Sequence, residues 1–157
     1  MEHYPSRRIV IASLFAATSL PLLSRSASAF APMIVHRDPG CGCCEGWVAH
    51  VRAAGFDARV VDEADMNTIK AKFRVPQALA SCHTAEIGGY VIEGHVPASA
   101  IERLLREKPV AIGLSAPGMP DGSPGMETGG PKEIFEVVLF GATGSRGYGR
   151  YQGASAI

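Results

Sequence analysis

Three cysteines in four positions, Cys41, Cys43 and Cys44, stand between a short apolar run and the first turn of a helical pattern. No other feature constrains the chain as much, because it calls for a strand that turns straight into a sulfur-bearing helix end. "MIVH" (33–36) supplies the strand and "RDPG" (37–40) the turn. Beyond them, Cys44, Trp47, Val48, Val51 and Ala54 recur at the i, i+3, i+4, i+7 spacing of one helix face, and Gly55 stands where a C-terminal cap belongs. The N-terminus of such a helix carries unsatisfied N–H groups and the positive end of the macrodipole. A thiolate placed there is stabilised, which makes it both a nucleophile and a metal ligand. Gly42 allows the tight backbone turn that lets several sulfurs converge.

The rest of the chain reads as further alternation, and no internal repeat is apparent. "ARVV" (58–61) is a second strand. Met66, Ile69 and Phe73 mark a second amphipathic helix, which ends before Pro76. "HTAEIGGYVIEG" (83–94) is two strands about a two-residue turn at Gly88-Gly89. Pro97 opens a third helix at its first position, with Ile101, Leu104 and Leu105 inward and Pro109 at its end. Residues 113–131, rich in Gly, Pro and Met, read as a long loop. "IFEVVLF" (134–140) is one extra strand, and the Gly-rich residues 141–157 are expected to form a flexible tail. The predicted class is therefore α/β, a β-α-β-α-β-β-α core with a mixed sheet. That order matches the thioredoxin-like arrangement, in which a cysteine motif lies between the first strand and first helix.

Residues 1–29 have the three parts of a signal peptide: Arg7-Arg8, an apolar stretch from Ile9 to Leu23, and the small-residue site Ala27-Ser28-Ala29. The competing reading is an uncleaved anchor, for which the stretch is short. "SRRIVI" partly resembles a twin-arginine signal, so a Sec or a twin-arginine route is open. Three basic residues and one acidic residue of the 15 of each fall in this segment, leaving the remainder at about −2. That balance offers no basic face for nucleic acid and no basic amphipathic helix for a membrane surface. Residues 30–140 are then one domain, expected in the periplasm and free of the membrane after cleavage.

All four cysteines, Cys82 included, follow the signal segment. An even count in an exported chain first suggests disulfides. However, the neighbours Cys43 and Cys44 make a strained pair, and a domain of this size buries a core without staples. Two chemistries remain. Cys41 and Cys44 form a C-x-x-C pair suited to thiol–disulfide exchange, with Cys41 attacking and Cys44 resolving. Alternatively, Cys43 adds a third sulfur, and Cys82 with His83 adds a fourth sulfur and an imidazole, a set suited to a soft metal. Cys82 opens the third strand, which in a thioredoxin-like sheet lies beside the first. Ser81-Cys82-His83 occupies the point where thioredoxins hold a cis-proline, which favours metal. Thiolates select Cu(I), zinc or iron–sulfur over Mg and Ca. Zinc is the standing alternative to copper, because three or four sulfurs and a histidine satisfy it equally well. Met119 and Met126 in the long loop tilt the choice to copper, since a thioether is a poor zinc ligand.

"DPGCGCCEGWVAHVRAAGF", "VPQALASCHTAEIGGYVIEGHVPASAIERLL" and "GLSAPGMPDGSPGMETGG" together resemble the CopG-type copper-resistance family of periplasmic thioredoxin-like proteins. The likeness runs from about Met33 to Phe140. It implies a thioredoxin-like fold, copper at the cysteine motif and a copper oxidoreductase role in metal tolerance, alongside other periplasmic copper-handling proteins. By position it implies Cys41, Cys43, Cys44 and Cys82 as ligands with His83 beside them, and it brings in His95 of "EGHVP". His36, where the family often has lysine, is either an additional ligand or an ordinary polar residue. Four sulfurs exceed the need of one two- or three-coordinate Cu(I), so a multinuclear thiolate cluster is part of the expectation. A thiol–disulfide oxidoreductase using Cys41 and Cys44, and a zinc-stabilised structural module, are the alternatives. Ordinary roles are expected for Trp47 (core packing), His50 (solvated) and the helix-face charges Glu102, Arg103, Arg106 and Glu107.

Overall fold

The computed structural model describes Met1 and residues 30–157; the signal-peptide reading falls outside the described residues. The elements in chain order are β1 (Met33–Arg37), α1 (Gly42–Ala53), β2 (Ala58–Asp62), α2 (Met66–Lys72), a 3-10 turn (Gln77–Leu79), β3 (Thr84–Ile87), β4 (Tyr90–Glu93), α3 (Ala98–Glu107), β5 (Gly113–Ser115), β6 (Ile134–Gly141), β7 (Gly144–Gln152) and β8 (Ser155–Ala156). This is a mixed α/β chain with one eight-stranded sheet, ordered β2-β1-β3-β4-β5-β6-β7-β8. β1 runs parallel to β2 and antiparallel to β3, and β3 is antiparallel to β4.

Strand alternation divides the sheet into two covered faces. On one, Met33, Val35, Ala85, Ile87, Ile92 and Leu114 share a core with Trp47, Val48 and Val51 of α1 and Ile101 and Leu104 of α3. On the other, His36 meets Phe73 (ring centroids 5.4 Å), while Thr84 and Glu93 meet Lys70 of α2. Asp65 caps α2 by accepting from the Asn67 and Thr68 amides. Pro97 is the N-cap residue of α3, one position before its expected place. Gly55 takes φ +94° after α1 and donates to the Arg52 carbonyl, the cap expected of it.

Two expectations are corrected. Residues 113–115, read as the start of the long loop, are β5, hydrogen-bonded between β4 and β6. Residues 141–157 are not a loose tail, because β7 and β8 extend the sheet from β6. Glycine misled here. Gly147 packs its backbone against Glu136, while Tyr148 and Tyr151 between the glycines are buried. Arg103 ties α3 to this addition, donating to the Tyr148 carbonyl (2.9 Å) and lying over its ring (4.2 Å). The charged face of α3 is thus not wholly solvated.

Candidate metal centre

The cysteine turn is built locally. The Asp38 side chain accepts from the Gly40 amide (2.7 Å), and its carbonyl accepts from the Cys41 amide (3.0 Å). This delivers Cys41 as the N-cap residue of α1, with Cys43 and Cys44 in its first turn. Arg37 braces the turn through Glu45 (3.1 Å) and the Cys41 carbonyl (3.4 Å). Cys41 and Cys44 are joined as a disulfide, and Cys43 and Cys82 are free. Cys43 Sγ lies 3.5 Å from Cys41 Sγ and 3.9 Å from Cys82 Sγ. All four sulfurs fall within 4.8 Å of one another.

A second group shares Cys82 with the first. Its sulfur is 3.3 Å from His83 Nδ1 and 3.0 Å from His95 Nε2, and these three ligand atoms also lie within 4.8 Å of one another. Both rings are wholly buried. His83 packs against Trp47 (centroids 4.3 Å), whose Nε1 donates to the Val96 carbonyl (2.9 Å). His95 Nδ1 is 2.7 Å from the Pro124 carbonyl, which makes Nδ1 the donor and leaves Nε2 as a lone-pair ligand facing Cys82. Among the described residues, His83 Nε2 is buried with no hydrogen-bond partner.

Burial dominates the electrostatics of this cluster. Burial, then the neighbouring Cys43 sulfur, pushes the Cys82 thiol up to about 12. Burial holds His83 well below the ordinary histidine value, with His95 and Lys70 adding to the effect, and burial likewise lowers His95. Metal-free, the cluster is therefore a thiol among neutral imidazoles, and the negative charge that bound metal needs appears only as protons leave.

The long loop covers this site. Gly125, at φ +85°, lies so close to α1 that a Cβ there would meet the Trp47 amide nitrogen and sit 2.7 Å from the Cys43 carbonyl. Together with the Pro124–His95 bond, this seats residues 123–126 on the first turns of the helix.

A family model described as a protein of unknown function, DUF411, matches residues 79–126, from the 3-10 turn to the seated loop. No curated protein matches. Two solved structures described as copper resistance protein CopG, forms 1 and 2, both superpose with a TM-score of 0.73. They are 42% and 43% identical, covering 79% and 77% of this chain and 99% and 98% of their own. The chain belongs to the CopG copper-resistance family.

Within this CopG-family chain, the structure brings together Cys41, Cys43, Cys44, Cys82, His83 and His95. His36 is placed elsewhere: its Nδ1 is 2.7 Å from Glu63 and its Nε2 3.6 Å from Glu86, and its ring lies beside Phe73. Met119 is 55% exposed, and Met126 is partly buried next to the seated Gly125. His50, expected to be solvated, is half-buried and accepts the Ala98 amide at Nε2 (3.1 Å), capping α3 from α1. A cavity of about 860 Å³ at Phe30, Tyr90, Leu105 and Val110 includes none of the cysteines or histidines in its wall.

Proposed function

We propose that this protein is an exported, periplasmic copper-binding protein of thioredoxin-like fold that holds Cu(I) through Cys41, Cys43, Cys44 and Cys82, with His83 and His95 completing the site. The observation that carries the reading is the convergence of Cys82 with a sulfur cluster some forty residues earlier in the chain, at the end of a helix. Support for copper comes from the neighbours described as copper resistance proteins and from thiolate preference for soft ions. The strand order β2-β1-β3-β4 with β3 antiparallel supports the thioredoxin-like assignment. Export rests on the tripartite sequence of residues 1–29, and the route, Sec or twin-arginine, is left as two alternatives.

Four sulfurs within one cluster support more than one copper ion, bridged by thiolates. The same sulfurs could support a redox role: the reduced Cys41 and Cys44 thiolates would give one electron to each of two Cu(II) as they join. The resulting Cu(I) would be left to the free Cys43 and Cys82 with His83 and His95, so four-sulfur binding belongs to the fully reduced protein. The role in vivo is copper tolerance through buffering or interconverting the two oxidation states.

Anaerobic titration of the reduced protein with Cu(I) and, in parallel, Zn(II) under chelator competition tests the reading. Cu(I) is expected to bind tightest, with both Cys43→Ser and Cys82→Ser weakening it; tighter zinc binding sinks the copper assignment. The second reading, thiol–disulfide exchange, is favoured by the Cys41–Cys44 bond itself. It predicts that disulfide exchange and function both survive in Cys43→Ser and Cys82→Ser.

A further inference from the structure

Between β3, β4 and α2 lies a charged group that the site described above does not use. Glu93 is wholly buried on β4. Its Oε1 accepts from Lys70 Nζ (2.6 Å) and from the Ser81 amide (2.6 Å), and its Oε2 accepts from Thr84 Oγ1 (2.6 Å). Lys70 Nζ also reaches Thr84 Oγ1 (3.1 Å). Burying an ion pair is costly, and apolar residues of similar volume often serve a core as well. A stabilising role alone therefore does not account for this one.

What the pair does hold is the backbone before Cys82. The Ser81 amide immediately precedes the thiol, and no regular strand pairing fixes it, because β3 begins only at Thr84. Among the described residues, the segment's other ties include the Gly118 amide to the Ala80 carbonyl (3.2 Å), the Gly94 amide to the His83 carbonyl (2.9 Å) and the Ser81 hydroxyl to the Gly118 carbonyl; only the bond to Glu93 engages the Ser81 amide itself. Glu93 also lies two residues before His95, so one carboxylate references both sides of the Cys82–His95 contact.

We propose that Glu93, held by Lys70, is a positioning residue that fixes the Cys82 thiol against Cys43 and His95. The placement of the sulfur stands on its own; its consequence for copper rests on the function proposed above. The pair is specific in form as well as charge: the carboxylate has two oxygens for three donors, and Lys70 brings α2 into the same network.

The test uses phenylarsine oxide, which bridges two thiols only when they lie close together. In the protein with Cys41 and Cys44 joined, the free pair is Cys43 and Cys82, 3.9 Å apart. The double variant Lys70→Met/Glu93→Leu removes both charges at similar volume and releases Ser81. Bridging is expected to slow about tenfold or more, as for any reaction that loses its near-contact geometry. Alkylation of Cys43 by iodoacetamide, which needs one thiol only, is expected to keep its rate. An unchanged bridging rate overturns the proposal. If the double variant fails to fold, Ser81→Pro carries the test, with Ser81→Ala as the control for the lost hydroxyl, since proline removes only the amide that donates to Glu93 and leaves the Lys70–Glu93 pair in place; a bridging rate in Ser81→Pro equal to that of Ser81→Ala defeats the claim. Cu(I) competition on the same variants separates the two readings. Slower bridging with weaker copper binding supports both, whereas slower bridging with unchanged copper affinity keeps the positioning role and removes Cys82 from the copper ligands.

Discussion

Gly125→Ala should lift the loop off the cysteine–histidine cluster, and its cost can be worked from the contacts. An alanine at φ +85° carries about 1 kcal/mol of left-handed strain. Its Cβ would also sit 2.7 Å from the Cys43 carbonyl and 2.9 Å from the Gly46 carbonyl carbon. Those are backbone atoms of α1, so the loop must yield rather than a side-chain tip. As it yields, Pro124 leaves His95 Nδ1, and an unpaired buried ring nitrogen costs about 1–3 kcal/mol. Together these give roughly 2–4 kcal/mol, a factor of about thirty to several hundred in loop opening. Hydrogen exchange reads it directly at the Gly122, Ser123 and Met126 amides, which bond within the loop to Met126, Pro120 and Ser123. Gly129→Ala is the control. It has φ +79° and nothing within 4 Å of a Cβ, so it carries the strain without the clash. Exchange in Gly125→Ala that is no faster than in Gly129→Ala would falsify the account of a seated loop.

Three further outcomes are expected. Because the metal-free Cys82 thiol is held up at about 12, each Cu(I) that displaces its proton should bind about tenfold more tightly per pH unit from pH 6 to 9, measured by chelator competition; a flat profile means that this thiol is not ionised on binding. Burial keeps His83 neutral when folded, whereas the unfolded chain protonates it near pH 6.5. His83 therefore contributes metal-free stability that is full above that pH and falls as pH drops below it, by about 1.4 kcal/mol per unit in urea melts; His95 and His50 add to the slope in the same direction, so His83→Phe should lessen it without abolishing it. Truncation after Gly141 removes the buried Tyr148 and Tyr151 and the Arg103 contact, so thermal melting should show a loss of several kcal/mol, on the order of two core aromatics, where a loose tail would cost nothing.

Much of this was legible in local pattern. The helix of α1 followed from Cys44, Trp47, Val48 and Val51, all buried as their spacing requires. The hairpin followed from Gly88-Gly89, both at positive φ. What composition concealed was sheet made from glycine. β7 keeps only Tyr148 and Tyr151 as buried markers, and β5 is three residues at the head of a Gly/Pro-rich stretch. In both, the pairing partner decides the strand, and no single segment states its partner.

His95, brought in by the family resemblance, is also legible from the hairpin itself. A two-residue turn makes hairpin partners equidistant from it, and the observed pairs run Ile87 with Tyr90, Ala85 with Ile92, and Thr84 with Glu93. Two steps outward along the same count, Cys82 stands opposite His95. The Gly94–His83 bond lies on that path, and the 3.0 Å contact between Cys82 Sγ and His95 Nε2 is its result. The glycine turn thus selects the imidazole for that contact, while β1 beside β3 brings the cysteine turn up to Cys82. Cys82 belongs to both ligand groups for this reason. On the proposed function, it is the one thiol whose loss should disturb the sulfur cluster and the histidine pair together, whereas Cys41 and Cys44 affect only the former and withdraw from it when joined.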